Sequence, residues 1–302
     1  MGRWMVVGVA AALVVVACAD DESGEDSPLT TAATVAIPAV TTAPGAAATT
    51  VTTAAPTAPT TASTAPTSTL APPTTTLPGL AGLAADAVEV VEIGRSVEGR
   101  PITAVRRGTP GGAVVLVIGV IHGDEDDGVP ILERLATAPV PPGVDLWLVE
   151  SMNPDGQAAQ RRTNANLVDL NRNFPYQWAP LGAPGDSEYG GTGPASEPET
   201  RAIVDFVTAV QPALGLWYHQ DLFRISPGQG FEGQLKARYA ELTGVPILRI
   251  TGGTYTGVAA TWQRNTVDGV SFIVELGPTL SAAEADAHAA AVLDLAGLVA
   301  AR

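Results

Sequence analysis

The chain has 302 residues, 31 of them acidic and 16 basic, for a formal net charge of −15. An acidic excess of this size excludes a protein that grips nucleic-acid phosphates, which needs basic patches. The single cysteine, Cys18, excludes an intramolecular disulfide, and 46% hydrophobic residues suffice for a core of one or two domains.

Residues 1–18 read as an export signal. Arg3 gives a short basic start, and Met5 to Val16 is an apolar stretch too short to span a bilayer comfortably. It ends Val15-Val16-Ala17-Cys18, which resembles a bacterial lipobox, so Cys18 is expected to carry lipid and become the new N-terminus. An ordinary signal peptide with a chance cysteine is the alternative. The position of the one cysteine favours the lipoprotein, and acyl chains anchor firmly at ~0.8 kcal/mol per buried CH₂. The protein is therefore expected outside the cytoplasm, held to the cell membrane and facing the cell wall. Residues 19–84 begin with an acidic patch and continue as Thr, Ala and Pro in low complexity. That composition cannot bury a core and reads as a disordered tether.

Residues 85–302 read as a single globular domain. Val88 to Ile93 is expected to form a strand, residues 95–100 a turn, and Ile102 to Arg106 the returning strand. Val114 to Val120 is a continuous apolar run of the kind found in buried strands. A helix is expected over Val129 to Thr137, a second buried strand over Asp145 to Glu150, and a turn at Asn153-Pro-Asp-Gly156. Ser196 is placed to cap a helix that continues through Arg201 to Val210, with Glu199 at the capping-box position. Strands follow at Leu214 to Tyr218, Val245 to Ile250 and Val270 to Leu276. Helices are expected at Gly230 to Leu242 and, Ala-rich, at Ser281 to Ala301. Strands alternating with helices indicate an α/β sheet covered on both faces.

The stretch Arg162 to Pro175 carries two arginines, four asparagines and an aspartate among a few apolar residues. Buried, so many polar groups must each be bonded. Arg162 and Arg172 have the fork geometry that grips a carboxylate or oxyanion. The chain has three histidines. His288 lies in the closing helix and reads as a surface residue. His122 and His219 each follow an apolar strand, where ligands gather in open α/β sheets, and Glu125 is close enough to His122 for one turn to aim both side chains at a point. Two histidines and a glutamate, with a fourth position for water, form a ligand set of catalytic zinc. His-x-x-Glu alone is common by chance, and the strand-end His219 and the two arginines are what give it weight. Glu275 ends an apolar strand and is the candidate for the base that hydrolysis requires; a rim glutamate paired with an arginine is the alternative. Asp169 is placed either to hold a ligating imidazole through its other nitrogen or to cap a turn.

Taken together, His122-Gly-Asp-Glu125, Asn153-Pro-Asp-Gly156, Arg162 to Pro175, Ser196-Glu-Pro-Glu-Thr200, His219 and Glu275-Leu-Gly277 resemble the zinc carboxypeptidases of the carboxypeptidase A-like superfamily. The resemblance covers residues 90–280. It implies a mixed, mainly eight-stranded sheet flanked by helices and one zinc ion held by His122, Glu125 and His219. It also implies an oxyanion donor in Arg162, a carboxylate grip in Asn171 and Arg172, and a general base and acid in Glu275. Within the superfamily, residues 94–102 most resemble bacterial murein peptide amidases, which cut the γ-D-glutamyl–diaminopimelate bond of cell-wall peptides. A general carboxypeptidase, a deacylase of N-acyl amino acids and a non-catalytic wall-binding lipoprotein are the alternatives. One departure concerns the tyrosine that digestive carboxypeptidases carry ahead of the catalytic strand. Thr261-Trp-Gln-Arg-Asn265 has none; Tyr255 is nearby, and Arg264 either faces an acidic substrate or is merely exposed.

Overall fold

The computed structural model describes residues 87–302 apart from Thr254. The expected export signal, Cys18 and the tether lie outside the described residues. These residues form a six-stranded mixed sheet, where the resemblance implied mainly eight strands. In chain order the strands are β1 (Ala87–Arg95), β2 (Pro101–Gly108), β3 (Ala113–Val120), β4 (Val144–Ser151), β5 (Leu214–Gln220) and β6 (Val270–Leu276). Their spatial order is β1-β2-β4-β3-β5-β6. β1, β2 and β4 pair antiparallel, and β4, β3, β5 and β6 run parallel.

Among the described residues there are six α-helices, α1 (Gly128–Leu135), α2 (Pro154–Ala158), α3 (Pro198–Val210), α4 (Gly230–Thr243), α5 (Ala259–Thr266) and α6 (Ala282–Ala300), and a short 3₁₀ helix at Leu170–Arg172. β3 reads apolar throughout because both of its faces are covered. Val115 and Val117 pack into a core that includes α1, α4 and α6 residues, while Leu116 and Ile118 pack into a core with α3 and α5 residues. α6 turns the stripe Ala285, Ala289, Val292, Ala296 and Val299 inward, the spacing of one helix face. It begins in a capping box between Ser281 and Glu284. No helix among the described residues is long and apolar enough to cross a membrane.

The chain goes from β3 through α1 to β4 on one side, and β5 lies against β3 on the other. The crevice at the carboxyl ends of β3 and β5 is thus a topological switch point, where open α/β sheets bind ligands. His122 follows β3 and His219 lies near the end of β5.

Four expectations are corrected. Residues 245–250 do not form a strand; they make one isolated bridge, Ile225 to Ile247, because Pro246 has no N–H to give a ladder. Asn153 to Gly156 opens the short helix α2 rather than a plain turn, with the Asn153 side chain accepting from Gly156 N. Ser196 does not cap α3. The N-cap is Glu197, and Glu199 is drawn away to accept from Val97 N at 3.0 Å and Asn164 Nδ2 at 3.0 Å. His288 is buried, not at the surface: its Nδ1 lies 2.7 Å from the Tyr239 hydroxyl, which in turn lies 2.8 Å from that of Tyr218.

Burial pushes the His288 pKa down to about 4, against a small opposing pull from Glu284. The unfolded chain therefore binds a proton that the folded one refuses between about pH 6.5 and 4, and stability falls as pH drops through that window. The full window corresponds to roughly 3 kcal/mol. Urea unfolding at pH 7 and pH 4.5 is expected to show His288→Gln, which keeps a polar partner for Tyr239 but does not titrate, losing less stability on acidification than the parent.

Candidate active site

At the switch point three side chains converge. His122 Nδ1 lies 2.8 Å from Glu125 Oε1, His219 Nδ1 lies 2.9 Å from Glu125 Oε2, and the two Nδ1 atoms are 3.2 Å apart. Both imidazoles are buried. The turn that aims Glu125 back at His122 depends on Gly123. A Cβ there would stand 2.0 Å from the carbonyl carbon of Gly156, so the 122–125 turn and α2 can touch only through glycine.

Asp169 holds the His122 ring from its other side. It is fully buried, and its Oδ1 accepts from His122 Nε2 at 3.0 Å and from Asn171 N at 2.9 Å. This leaves the His122 Nδ1 lone pair directed at Glu125. Asp169 Oδ2 takes Arg162 Nη2 at 2.8 Å and Nε at 3.1 Å. Burial works against the charge of Asp169, yet His122, Arg162 and Arg172 hold its pKa well below the usual carboxylate range. Burial likewise opposes the charge of Glu125, and the two imidazoles hold it far below its ordinary value. A monoanionic, bis-imidazole set whose potential ligand atoms all lie within 4.8 Å of one another has the chemistry and spread of a zinc site that leaves room for water.

His122, Glu125 and His219 line a cavity of about 500 Å³. Arg162 Nη1 reaches Glu125 Oε1 at 3.1 Å and stands 3.1 Å from His122 Nδ1. Asn171 Nδ2 lies 3.3 Å from His219 Nε2. Arg172 bonds the half-exposed Glu188 at 2.6 Å. Glu275 sits on β6 directly opposite His219 in the register of β5 and β6. Its Oε2 is enclosed without a hydrogen-bond partner. Burial, and after it the charge of Glu125, pushes its pKa up to about 7, the range in which a carboxylate works as a base at neutral pH. Arg264 lines the cavity as well, but it is tied to Glu232 at 3.6 Å and Thr261 Oγ1 at 3.3 Å.

The sequence reading named Tyr255 only as nearby and missed two further features of this cavity, Arg224 and the Gln220 backbone. Tyr255, half exposed, sets its ring 5.4 Å from the Arg172 guanidinium and lines the wall. Arg224 lines it too. Gln220 N donates to Glu125 Oε2 at 3.0 Å. The Gly-rich run Gly252-Gly253-Thr254-Tyr255 was the available signal for Tyr255, since such a loop brings a side chain close to other backbone.

Comparison with known proteins decides what kind of site this is. Residues 75–221 match the zinc carboxypeptidase family model. Murein peptide amidase A of Escherichia coli (strain K12) is 31% identical over 181 residues, covering 56% of this chain and 74% of the relative. The chain belongs to the zinc carboxypeptidase family. Carboxypeptidase SOL1 of Arabidopsis thaliana is 31% identical over 166 residues, 49% of this chain and 32% of its own length, so the chain spans about a third of that relative. Among solved structures, the murein-tripeptide amidase MpaA from Escherichia coli O157 superposes with a TM-score of 0.55 at 25% identity, over 70% of this chain and 92% of the other. Carboxypeptidase A from Helicoverpa armigera gives a TM-score of 0.62 at 21% identity, over 72% and 69%, a likeness of fold. As a member of this family the chain is a zinc-dependent hydrolase, and its His-Glu-His cluster suits that metal.

Asp169→Asn is expected to weaken zinc binding roughly 10- to 100-fold while the fold persists, because the amide keeps the shape but not the charge that orients His122. Competition with a chromogenic chelator measures this; unchanged affinity would reduce Asp169 to a turn cap.

Proposed function

We propose that the chain is a zinc-dependent amidase of cell-wall peptides that hydrolyses the γ-D-glutamyl–diaminopimelate bond. The observation that carries the hydrolytic part is Glu275: an enclosed carboxylate with an unbonded oxygen and a raised pKa, in the same cavity as the His-Glu-His cluster. The murein part is supported by the likeness to murein peptide amidase A, over most of that relative's length.

His122, Glu125 and His219 would hold one zinc ion. The metal would supply Lewis acidity that polarises the scissile carbonyl and acidifies water. Glu275 takes the proton from the attacking water and returns it to the leaving amine. Arg162, pinned by Asp169 with Nη1 turned to the ligand cluster, donates to the oxyanion as it develops; such preorganised donors often supply the largest single contribution. Asn171 and Arg172 hold the substrate carboxylate. Arg172 is already matched to one through Glu188 on the exposed 177–195 loop, and a substrate carboxylate takes over that contact. Arg264 adds positive charge to the wall. Anchoring through a lipid on Cys18 and display on the 19–84 tether would bring the domain to the wall. A non-catalytic wall binder has no need of an intact ligand set beside an activated carboxylate. The general carboxypeptidase reading draws on the likeness to carboxypeptidase SOL1.

Glu275→Gln is expected to retain zinc and lose turnover by about 10²- to 10⁴-fold; substantial residual activity in the zinc-loaded variant refutes its role as base. Incubated with L-Ala-γ-D-Glu-diaminopimelate, the protein is expected to release diaminopimelate, read by mass spectrometry, and a zinc chelator is expected to stop it. A zinc-loaded protein that leaves this peptide intact but trims ordinary C-terminal residues is a general carboxypeptidase.

A further inference from the structure

Four arginines line the cavity: Arg162, Arg172, Arg224 and Arg264. Three glutamates, Glu125, Glu188 and Glu275, line it with them, so the question is which guanidinium is left without a carboxylate. Three of the four are engaged, Arg162 with Asp169 and Glu125, Arg172 with Glu188, and Arg264 with Glu232. Arg224 differs. Its side chain has no hydrogen-bond or ion-pair partner among the described residues, and its Nε is enclosed without an acceptor. A buried guanidinium N–H left unpaired costs free energy that an anionic ligand would recover.

The backbone fixes where Arg224 points. Arg224 and Glu275 form an antiparallel bridge, exchanging both N–H···O bonds at 3.0 Å. Residues directly opposite in such a pair carry their side chains on the same face, so the guanidinium stands on the same face as the proposed base. Ile225 faces the other way, into the core, and Ser226 returns to the cavity wall. Apolar side chains, Leu222, Ile250 and Ile273, also line this cavity. Behind Ser226 stands buried Lys236, 3.4 Å from its hydroxyl and paired with Glu232 at 2.5 Å. Glu232 is thus shared between Lys236 and Arg264 and offers little to a cationic ligand. The wall fits an aliphatic stem that ends in an anion and repels one that ends in an ammonium group alone.

We infer that Arg224 is a specificity-determining residue that receives a carboxylate at the end of the side chain on the leaving residue, distinct from the carboxylate held by Asn171 and Arg172. This rests on the proposed assignment of the cavity to the leaving residue.

The test compares two peptides that differ only in that carboxylate, L-Ala-γ-D-Glu-meso-diaminopimelate and L-Ala-γ-D-Glu-L-Lys, with the zinc-loaded full chain and its Arg224→Gln and Arg224→Lys variants. The parent is expected to favour the diaminopimelate peptide in kcat/KM by roughly 10- to 100-fold, the range of a hydrogen-bonded charge pair. Arg224→Gln is expected to bring the ratio close to 1, and Arg224→Lys to restore part of it, which guards against a variant that merely folds poorly. A ratio unchanged in Arg224→Gln overturns the inference, as does an equal loss on both peptides, which would mean that Arg224 acts through Glu275. If the parent cleaves neither peptide, the murein reading fails by itself. N-benzoylglycyl-glutamate against N-benzoylglycyl-glutamine then decides the Arg224 assignment, which absence of a preference for glutamate overturns.

Discussion

A single buried carboxylate ties this site together. Asp169 accepts from His122, from Arg162 through two nitrogens, and from the backbone of Asn171. An ionised carboxylate out of water is costly unless it is paired and bonded. Here the pairing is with groups that face the His-Glu-His cluster, so the cost of burying Asp169 is offset by contacts that also fix the imidazole tautomer and aim the guanidinium. The Asn- and Arg-rich stretch that would be anomalous in a core becomes intelligible as the shell around this one charge.

The sheet supplies the second constraint. β5 and β6 carry His219 and Glu275 at the same register level, and side chains alternate faces along a strand. A slip of one residue in β6 would send Glu275 to the opposite face and leave the cavity without that carboxylate. Register is secured here by burial on both sides. Leu216, Tyr218, Phe272 and Val274 belong to one core while Trp217 belongs to the other, and Trp217 Nε1 donates to Gln263 at 2.9 Å and Ser271 at 3.0 Å. α5, which brings Gln263, therefore helps to hold the strand that carries His219.

Charge is distributed unevenly for a reason that follows from these contacts. The chain as a whole is acidic, yet the cavity walls carry four arginines against three glutamates. An acidic surface keeps the domain from adhering to other polyanions, while a local excess of guanidinium groups in a confined space selects a carboxylate-bearing ligand through direct contact. The two properties are compatible because exposed charges are screened over about 10 Å at moderate salt, whereas enclosed groups are screened far less.

Much of the site was legible in the sequence. His122, Glu125, His219 and Glu275 each follow or end an apolar run, and strand ends are where an α/β sheet gathers its chemistry. The polar density of Arg162 to Pro175 marked that stretch because buried polar groups need partners. The alternation of strands and helices gave the layered fold, and strand and helix bounds agreed closely wherever a continuous apolar run set them. What local pattern could not supply was anything decided by a distant partner. Glu199 looked like a capping-box residue but is held by Val97 and Asn164 instead. His288 looked exposed on an Ala-rich helix, but α4 covers it with Tyr239. Residues 245–250 had strand composition, but Pro246 has no N–H to extend a ladder, and one bridge to Ile225 is all that forms. Arg224 carried no sequence signal, because its importance lies in having no partner in a cavity assembled from the turn after β3, residues 162–188, β5, β6 and the segments between those two strands. The sequence by itself determined which side chains were available and which face of each element was apolar, since both are properties of residue type and spacing. Tertiary structure alone decided which of those side chains meet and which is left unpaired, since that depends on packing between segments far apart in the chain.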